Sequence, residues 1–160
     1  MDTTGIIVIT VILWILVLLK IFWIKAAFFF SPLTTIEKVV KRWNPEKYKN
    51  EEGYTKSLYQ YLSRKLKSLD VVKGFGIART KADVAVRGAG KKVCIELKKD
   101  FNRTDKLQRL LGQLQIYQRE GWKRILIILC GNTDTNTFQD LRKLVSSFRK
   151  SDVYISIIRK

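Results

Sequence analysis

The sequence predicts an α/β domain with a mixed β-sheet, preceded by one apolar helix that is long enough to cross a bilayer. Three observations lead to this prediction. The first thirty residues are almost entirely apolar, unlike the rest of the chain. The rest alternates segments of helical period with short runs of strand period or of unbroken apolar residues. Finally, 160 residues suit one compact domain with an appendage rather than two full domains.

The N-terminal segment is predicted to be a transmembrane anchor. Residues 5–19 carry no charge, and the apolar run continues to Phe30 with only two lysines interrupting it. This is long enough, because a helix needs about 20 residues to cross a hydrocarbon core. A cleavable signal peptide would begin with basic residues and end in small ones, and a buried core helix would be shorter or carry a polar stripe. We therefore assign residues 1–30 to the anchor and its lipid contact to residues 5–30.

Basic residues lie toward only one end of this segment. The first four residues contain no Lys or Arg. Five basic residues lie toward or beyond the C-terminal end: Lys20, Lys25, Lys38, Lys41 and Arg42. The positive-inside rule therefore predicts a single-pass protein with its N-terminus outside and residues 31–160 in the cytoplasm. The two cysteines, Cys94 and Cys130, lie in apolar runs, where a buried reduced thiol is ordinary in that compartment.

The chain is strongly basic, with a net charge of +17. Without the anchor, 29 Lys and Arg remain against 13 Asp and Glu, so the excess belongs to the domain. This excess favours a polyanionic partner, either nucleic acid or an anionic membrane leaflet, and charge alone does not choose between them. The absence of His and of paired Cys motifs argues against structural zinc, Ser-His-Asp and Cys-His chemistry.

After the anchor, residues 31–49 are predicted to be a linker with one short helix, and the domain is predicted over residues 50–160. The domain begins with a helix over residues 50–69, whose apolar face is formed by Tyr54, Leu58, Tyr61, Leu62 and Leu66. Glu51 lies at the start of that face, whereas Glu52 points about a hundred degrees away.

Three strands follow this helix. Residues 71–79 form the first, and its glycines indicate an irregular strand rather than a phosphate loop, because the context of a GxGxxG motif is missing. Residues 82–86 and 93–97 form a hairpin closed by Gly88-Ala89-Gly90.

Helices and strands then alternate to the end of the chain. A helix is predicted over residues 104–120, an apolar strand over 124–130, a helix over 137–150 and a last strand over 153–158. The strand at 124–130 is apolar on both faces, as expected where helices cover both sides of a sheet. The predicted order after the linker is α-β-β-β-α-β-α-β.

Polar side chains interrupt the hairpin where burial is expected. Side chains alternate between the two faces of a strand, so Glu96 and Lys98 share one face of an otherwise apolar strand. Closing the hairpin brings Asp83 opposite the region of Glu96. Close carboxylates repel unless a cation lies between them, and oxygen ligands suit Mg²⁺ or Mn²⁺. Glu-x-Lys alone is more typical of a solvated strand, but its apolar neighbours and the register of Asp83 favour a metal site.

The same residues resemble a known nuclease signature. Asp83, twelve intervening residues and then Glu96-Leu97-Lys98 resemble the motif of the PD-(D/E)xK superfamily, whose restriction-endonuclease-like fold has an αβββαβ core. Residues 50–130 follow that order of elements. Ala82 stands where the motif has proline.

Two further positions extend the resemblance. Gln113 and Tyr117 are similar to the Gln-xxx-Tyr motif of the RecB-like branch, on the helix after the lysine strand. Glu51 resembles the acidic residue that the family often carries in its first helix. The resemblance covers residues 48–130, so the anchor and the last helix and strand lie outside it.

The resemblance implies a complete catalytic set. Asp83 and Glu96 would hold Mg²⁺ or Mn²⁺ with the backbone carbonyl of Leu97, and Lys98 would orient or deprotonate the attacking water. Glu51 would complete the metal shell or bind through water. Gln113 and Tyr117, one helical turn apart, would position the substrate, although a tyrosine on an apolar helix face is more often core. Four bases near the site would contact phosphates or form an ordinary solvated helix start: Lys99, Arg103, Lys106 and Arg109.

The sequence thus predicts a membrane-anchored, metal-dependent nuclease that hydrolyses phosphodiester bonds, with DNA as the expected substrate. Such an endonuclease would suit defence against incoming DNA or DNA processing, and a cut in both strands would call for a homodimer. One alternative is a catalytically inactive nucleic-acid-binding or scaffold module of the same fold, tethered to the membrane. Another is a basic membrane-surface protein, which leaves the polar cluster on a buried strand unexplained.

Overall fold

The computed structural model describes residues 3–78, 80–148 and 152–160. The described helices are α1 (Thr3–Phe30), α2 (Pro32–Lys41), α3 (Glu51–Lys65), α4 (Thr104–Arg119) and α5 (Thr135–Phe148). The described strands are β1 (Asp70–Ile77), β2 (Thr80–Gly88), β3 (Lys91–Lys99), β4 (Arg124–Cys130) and β5 (Tyr154–Arg159). The predicted α/β class and the predicted order of elements are confirmed.

The five described strands form one mixed sheet in the order β1-β2-β3-β4-β5. The first three strands pair antiparallel, and β3, β4 and β5 pair parallel. Parallel neighbours need a crossover connection, which α4 provides between β3 and β4 and α5 provides between β4 and β5.

Helices cover both faces of the sheet, which explains the unbroken apolar run of β4. Its alternate side chains Ile125, Ile127 and Leu129 pack with α4 and α5, while Leu126 and Ile128 pack with α2 and α3. All five are fully buried. Each such side chain contributes about 1.5–3 kcal/mol relative to exposure, so this central strand anchors both layers.

Helix α2 is part of the packed domain. Ile36 and Val40 are fully buried in the layer that covers the sheet beside α3. Trp43, just after the helix, is also buried, and its indole N–H lies 3.3 Å from Oγ of Ser57 on α3. The short helix that the sequence analysis assigned to a linker therefore contributes to the core.

Element ends differ from the predicted ones by a few residues. Helix α3 ends at Lys65 rather than at residue 69, because Leu66 leaves the helical conformation while its N–H still bonds the carbonyl of Leu62. Helix α5 begins at Thr135, where the Asp134 carboxylate accepts hydrogen bonds from the backbone and hydroxyl of Thr137. The predicted end of α5 at residue 150 and the predicted end of the first strand at residue 79 lie outside the described residues.

Helix α1 is long and apolar enough, over Ile6–Phe30, to cross a membrane by length and composition. Most of its side chains are exposed, as expected of a surface that lipid could cover. Its last turns differ, since Phe28 is fully buried in the layer formed by α2 and α3.

Candidate active site

The regular pairing of β2 with β3 stops beside the predicted site. Val84 pairs with Ile95, and continuing the register by one residue sets Asp83 opposite Glu96. In place of a backbone partner, the N–H of Leu97 donates to Oδ2 of Asp83 at 2.7 Å. The hairpin register is the predicted one, and a carboxylate completes the hydrogen bonding where the ladder ends.

Gly74 lies on β1 at the position opposite Asp83. Its neighbours Lys73 and Phe75 pair with Val84 and Ala82, and its φ of 64° is in the left-handed region that favours glycine. This is the strand irregularity that the glycines predict. Nothing lies within 4 Å of where a Cβ would stand, so conformation rather than space requires glycine here.

Glu96 is the buried centre of the cluster, with only 1% of its surface exposed. The ammonium of Lys98 lies 2.6 Å from its Oε1, and the hydroxyl of Tyr117 donates to its Oε2 at 2.8 Å. The Tyr117 hydroxyl also lies 3.2 Å from the carbonyl of Lys81. A buried carboxylate needs such partners, and here β3 and α4 each supply one.

Glu51 reaches the same cluster from the other layer. It is the first residue of α3, which Asn50 caps by accepting from the N–H of Gly53 at 3.0 Å. Its carboxylate accepts from the N–H of Lys99 at 3.1 Å and lies 3.5 Å from the Lys98 ammonium. The Glu51 side chain is 42% exposed, against 12% for Lys98, so the cluster opens to solvent beside Glu51.

The electrostatics of the cluster are those of crowded carboxylates. Burial, followed by the charge of Glu96, raises the pKa of Asp83 to about 7. Burial alone would lower the pKa of Lys98, but the charges of Glu96 and Glu51 outweigh it, so this pKa is raised. Burial and the charge of Glu96 also raise the pKa of Tyr117, which keeps its hydroxyl a donor. At neutral pH one cation thus faces three carboxyl groups.

The donor set fits a hydrated divalent cation rather than a cage built from protein ligands. Within the described ranges, no group of three or more His, Cys, Asp or Glu side chains could hold a metal ion. Mg²⁺ typically keeps several waters and binds through one or two carboxylates, which Asp83 and Glu96 can supply. A cation there would offset both causes that raise the pKa of Asp83, namely burial of its carboxylate and then repulsion by Glu96.

Gln113 lies one turn before Tyr117 on α4. Its side-chain oxygen is buried and has no hydrogen-bond partner in the described part of the chain. Buried amide oxygens are rarely left unpaired.

The four predicted phosphate-binding residues have different surroundings. Lys99 forms an ion pair with Asp100, and Arg103 forms one with Asp105 at 2.9 Å. Lys106 donates to the backbone carbonyls of Lys99 and Asp100 at 3.2 and 2.7 Å, so it holds the turn after β3. Arg109 is exposed on α4.

Asp100 has a structural role that the sequence pattern does not predict. It has a positive φ of 49°, and its Oδ1 accepts from the N–H of Asn132 at 3.0 Å, which ties the ends of β3 and β4 together. An aspartate just after a strand is a turn signal, but its long-range partner is not readable from spacing.

Comparisons with known proteins add little to this geometry. No family model matches the chain, and no curated protein matches it. Among solved structures, it is similar to SfsA from Pyrococcus furiosus, described in complex with Ca²⁺, at 14% identity and a TM-score of 0.44. The similarity covers 66% of this chain and 56% of that one, so this chain spans little more than half of that protein's length.

Proposed function

We propose that this protein is a membrane-anchored, metal-dependent nuclease that hydrolyses phosphodiester bonds, with DNA as its substrate. The observation that carries the proposal is the convergence of Asp83, Glu96 and Lys98 where the β2–β3 ladder ends. Glu51 from α3 and Tyr117 from α4 contact the same cluster. Five polar groups from four elements thus meet in an otherwise apolar interior, which packing alone does not require.

The order of elements supports assignment to the restriction-endonuclease-like fold. Helix α3, strands β1 to β3, helix α4 and strand β4 follow the αβββαβ order, and the mixed sheet agrees with it. The positions of Gln113 and Tyr117 on α4 support the RecB-like branch as the finer assignment. A paired cut in both strands of DNA would require a homodimer.

The roles of the protein groups follow from their contacts. A bound Mg²⁺ or Mn²⁺ would acidify a water and neutralise charge on the scissile phosphate. Asp83, Glu96 and the backbone carbonyl of Leu97 would hold this ion, and Tyr117 keeps Glu96 in place. Lys98, whose ammonium lies 2.6 Å from Glu96, would orient or deprotonate the attacking water.

Substrate would reach the cluster from the side of Glu51, where the cluster is open to solvent. Glu51, whose carboxylate lies 3.5 Å from the Lys98 ammonium, would contact the metal shell through water. Arg109 is free to contact phosphates, and Lys99 and Arg103 would exchange their carboxylate partners for phosphate oxygens. Because Lys106 holds the turn after β3, its contribution to phosphate binding would be indirect.

The membrane part of the proposal rests on α1. Its apolar length and exposed side chains support a single span, and the basic residues after it support an N-terminus outside with the domain in the cytoplasm. The nuclease would therefore act close to a membrane surface, which would suit defence against incoming DNA.

A catalytically inactive nucleic-acid-binding module is the second candidate, and one observation favours it. One carboxylate oxygen of Glu96 accepts from Lys98 and the other accepts from Tyr117. The Asp83 carboxylate accepts from the backbone N–H of Leu97. A cluster satisfied in this way could serve structure alone.

Cleavage assays separate the two candidates. The 160-residue chain in detergent should cleave DNA in the presence of Mg²⁺ or Mn²⁺, and cleavage should stop when a chelator is added. RNA is tested in parallel. Removing one charge-stabilising group should lower the rate on the order of 10³-fold, so Asp83→Asn and Lys98→Met should both be nearly inactive. Glu52→Gln is the matched control, because Glu52 pairs with Lys73 at 2.6 Å, outside the cluster. Salt-sensitive DNA binding by the wild type without any cleavage would favour the inactive module and overturn the nuclease.

A further inference from the structure

The last turns of α1 belong to the folded domain. Phe28 is fully buried, and Ile24, one turn earlier, packs against the same layer. A Cβ at Gly88, next to the β2–β3 turn, would lie 3.7 Å from the Phe28 ring and 2.6 Å from Leu69. Helix α1 therefore leaves the domain near residue 24, directly beside the hairpin turn.

This contact fixes where a bilayer would meet the domain. Residues 6–23 remain outside the domain, and at 1.5 Å per residue they span about 27 Å. The hydrocarbon core of a bilayer is about 30 Å thick, so these residues fill it. The headgroup layer then lies at the level of Ile24–Phe30, and Trp23, which is 70% exposed, lies at the border where tryptophan is enriched.

Four lysines lie on α1 itself or on the segments next to its last turns. Lys91, opposite Gly88 at the hairpin turn, has its ammonium 5.5 Å from the centre of the Phe29 ring. Lys65, the last residue of α3, and Lys67, just after it, are exposed shortly before Leu69, and Lys25 is exposed on α1 itself. We call Lys25, Lys65, Lys67 and Lys91 the basic collar. Within the described ranges, none of the four forms an ion pair with an acidic side chain, although acids pair with bases elsewhere in the domain.

We infer that the basic collar binds anionic lipid headgroups and holds the domain in one orientation, with the β2–β3 turn against the bilayer. The inference rests on the proposed membrane span of α1 and not on nuclease activity. Headgroup phosphates suit exposed lysines, since each base near an anionic surface adds attraction that salt screens. The positive charge of the protein thus has more than one partner, and the part of it in the collar binds the membrane.

Nucleic acid is the less suitable partner for the collar. Gly88 and Asp83 are five residues apart on β2, which separates the collar from the candidate active site by about 17 Å along the strand. A substrate bound at the collar would lie within the headgroup layer, where anionic lipid competes for the same lysines. The collar therefore sets the distance of the active site from the membrane.

Fluorescence quenching in lipid nanodiscs tests this orientation in the full-length chain. One label is placed at Ala89→Cys in the exposed hairpin turn and another, in a separate sample, at Asn102→Cys beyond the far end of β3. The native cysteines are buried, so the added one reacts selectively. Quenchers on the headgroups of phosphatidylcholine discs, with or without phosphatidylglycerol, report how close each label lies to the bilayer.

In discs with phosphatidylglycerol, the label at residue 89 should be quenched more than the label at residue 102, and high salt should reduce the difference. Each lysine changes the ratio of docked to undocked domains about fivefold, so the collar variant K65Q/K67Q/K91Q should lower this ratio by about a hundredfold. The matched control R119Q/R142Q/K143Q removes the same charge from exposed positions on α4 and α5 and should leave it unchanged.

Equal quenching at residue 89 in neutral and anionic discs would overturn the inference, as would a collar variant that behaves like the wild type. A collar variant that loses affinity for DNA without any change in quenching would assign the collar to nucleic acid instead. Extraction of the chain from discs by alkaline carbonate would contradict both the proposed membrane span and the proposed role of the collar. Docking by Asp83→Asn should equal that of the wild type, so a failed nuclease proposal leaves this result standing.

Discussion

The two ends of the β2–β3 hairpin have opposite chemistry. At the turn, Gly88 packs against Phe28 and Leu69, and the strands are fully paired. At the open end, pairing stops after Val84, and the carboxylate of Asp83 replaces a backbone partner for Leu97. The same two strands therefore carry apolar packing at one end and crowded charge at the other.

This difference separates what stabilises the domain from what the domain does. Apolar burial at the turn stabilises the fold, whereas the burial of the Asp83 carboxylate and its repulsion by Glu96 at the open end oppose it. Local features that cost stability persist where the rest of the structure supports them, and they concentrate at functional sites. Removing the charge of Asp83 at the open end should therefore stabilise the metal-free protein, whereas truncating the apolar packing at the turn should destabilise it.

Phe28→Ala should have the largest effect, because it empties a fully buried site at the turn end. Truncating a buried phenylalanine costs about 3–5 kcal/mol, which should appear in denaturant unfolding of the detergent-solubilised chain. Phe30→Ala is the matched control, since Phe30 is 81% exposed and should change little. Equal effects of the two substitutions would mean that the end of α1 is not part of the domain.

Tyr117→Phe should destabilise the open end by removing a donor to buried Glu96. An unpaired buried acceptor costs about 1–3 kcal/mol, again measured by denaturant unfolding. Tyr59→Phe on α3 removes a hydroxyl from a half-buried tyrosine and should cost much less. If the two variants unfold alike, the hydrogen bond from Tyr117 contributes nothing.

Asp83→Asn should stabilise the metal-free protein, in contrast to both substitutions above. The pKa of Asp83 is about 7 in the folded chain against 3.8 as its ordinary value, so the folded state favours the protonated carboxyl. Stability is therefore lost as pH rises from about 4 to 7, and it stays low above pH 7. An asparagine avoids this loss, so its gain in Tm should be small at pH 5 and on the order of 5 °C at pH 8 in chelator.

Circular dichroism at the two pH values measures this gain. Asp70→Asn, which alters the exposed pair with Arg87 at the edge of the sheet, is the control and should show no comparable pH dependence. A gain for Asp83→Asn that is the same at pH 5 and pH 8 would contradict the raised pKa of Asp83. Added Mg²⁺ should raise the Tm of the wild type at pH 8 more than that of the variant.

Much of this arrangement was readable from the sequence because it depends on short-range periodicity. The alternation along the hairpin and the glycines at its turn predicted the register that sets Asp83 opposite Glu96. The apolar face of α3 begins at Glu51, and the apolar face of α4 ends at Tyr117. These two faces predicted which side chains each helix presents to the sheet.

Other parts depend on long-range packing that periodicity does not record. Helix α2 buries only Ile36, Val40 and its first residue, Pro32, too few for a visible stripe. Phe28 belongs to an apolar run in which lipid-facing and protein-facing residues look alike. Lys106 resembles a phosphate-binding lysine by its position, yet the conformation of the turn after β3 directs it to two backbone carbonyls.

Gly74→Ala should have the smallest effect on stability, and it tests the geometry of the open end most directly. Its φ of 64° costs an L-residue about 1 kcal/mol, although space for a Cβ is available. Gly76→Ala is a matched control on the same strand, since Gly76 has neither a positive φ nor a close neighbour. Because Gly74 lies opposite Asp83, its strain should also move the carboxylate, so Gly74→Ala should weaken metal-dependent cleavage more than its loss of stability explains. A cleavage rate that falls no further than in Gly76→Ala would confine Gly74 to the geometry of the strand.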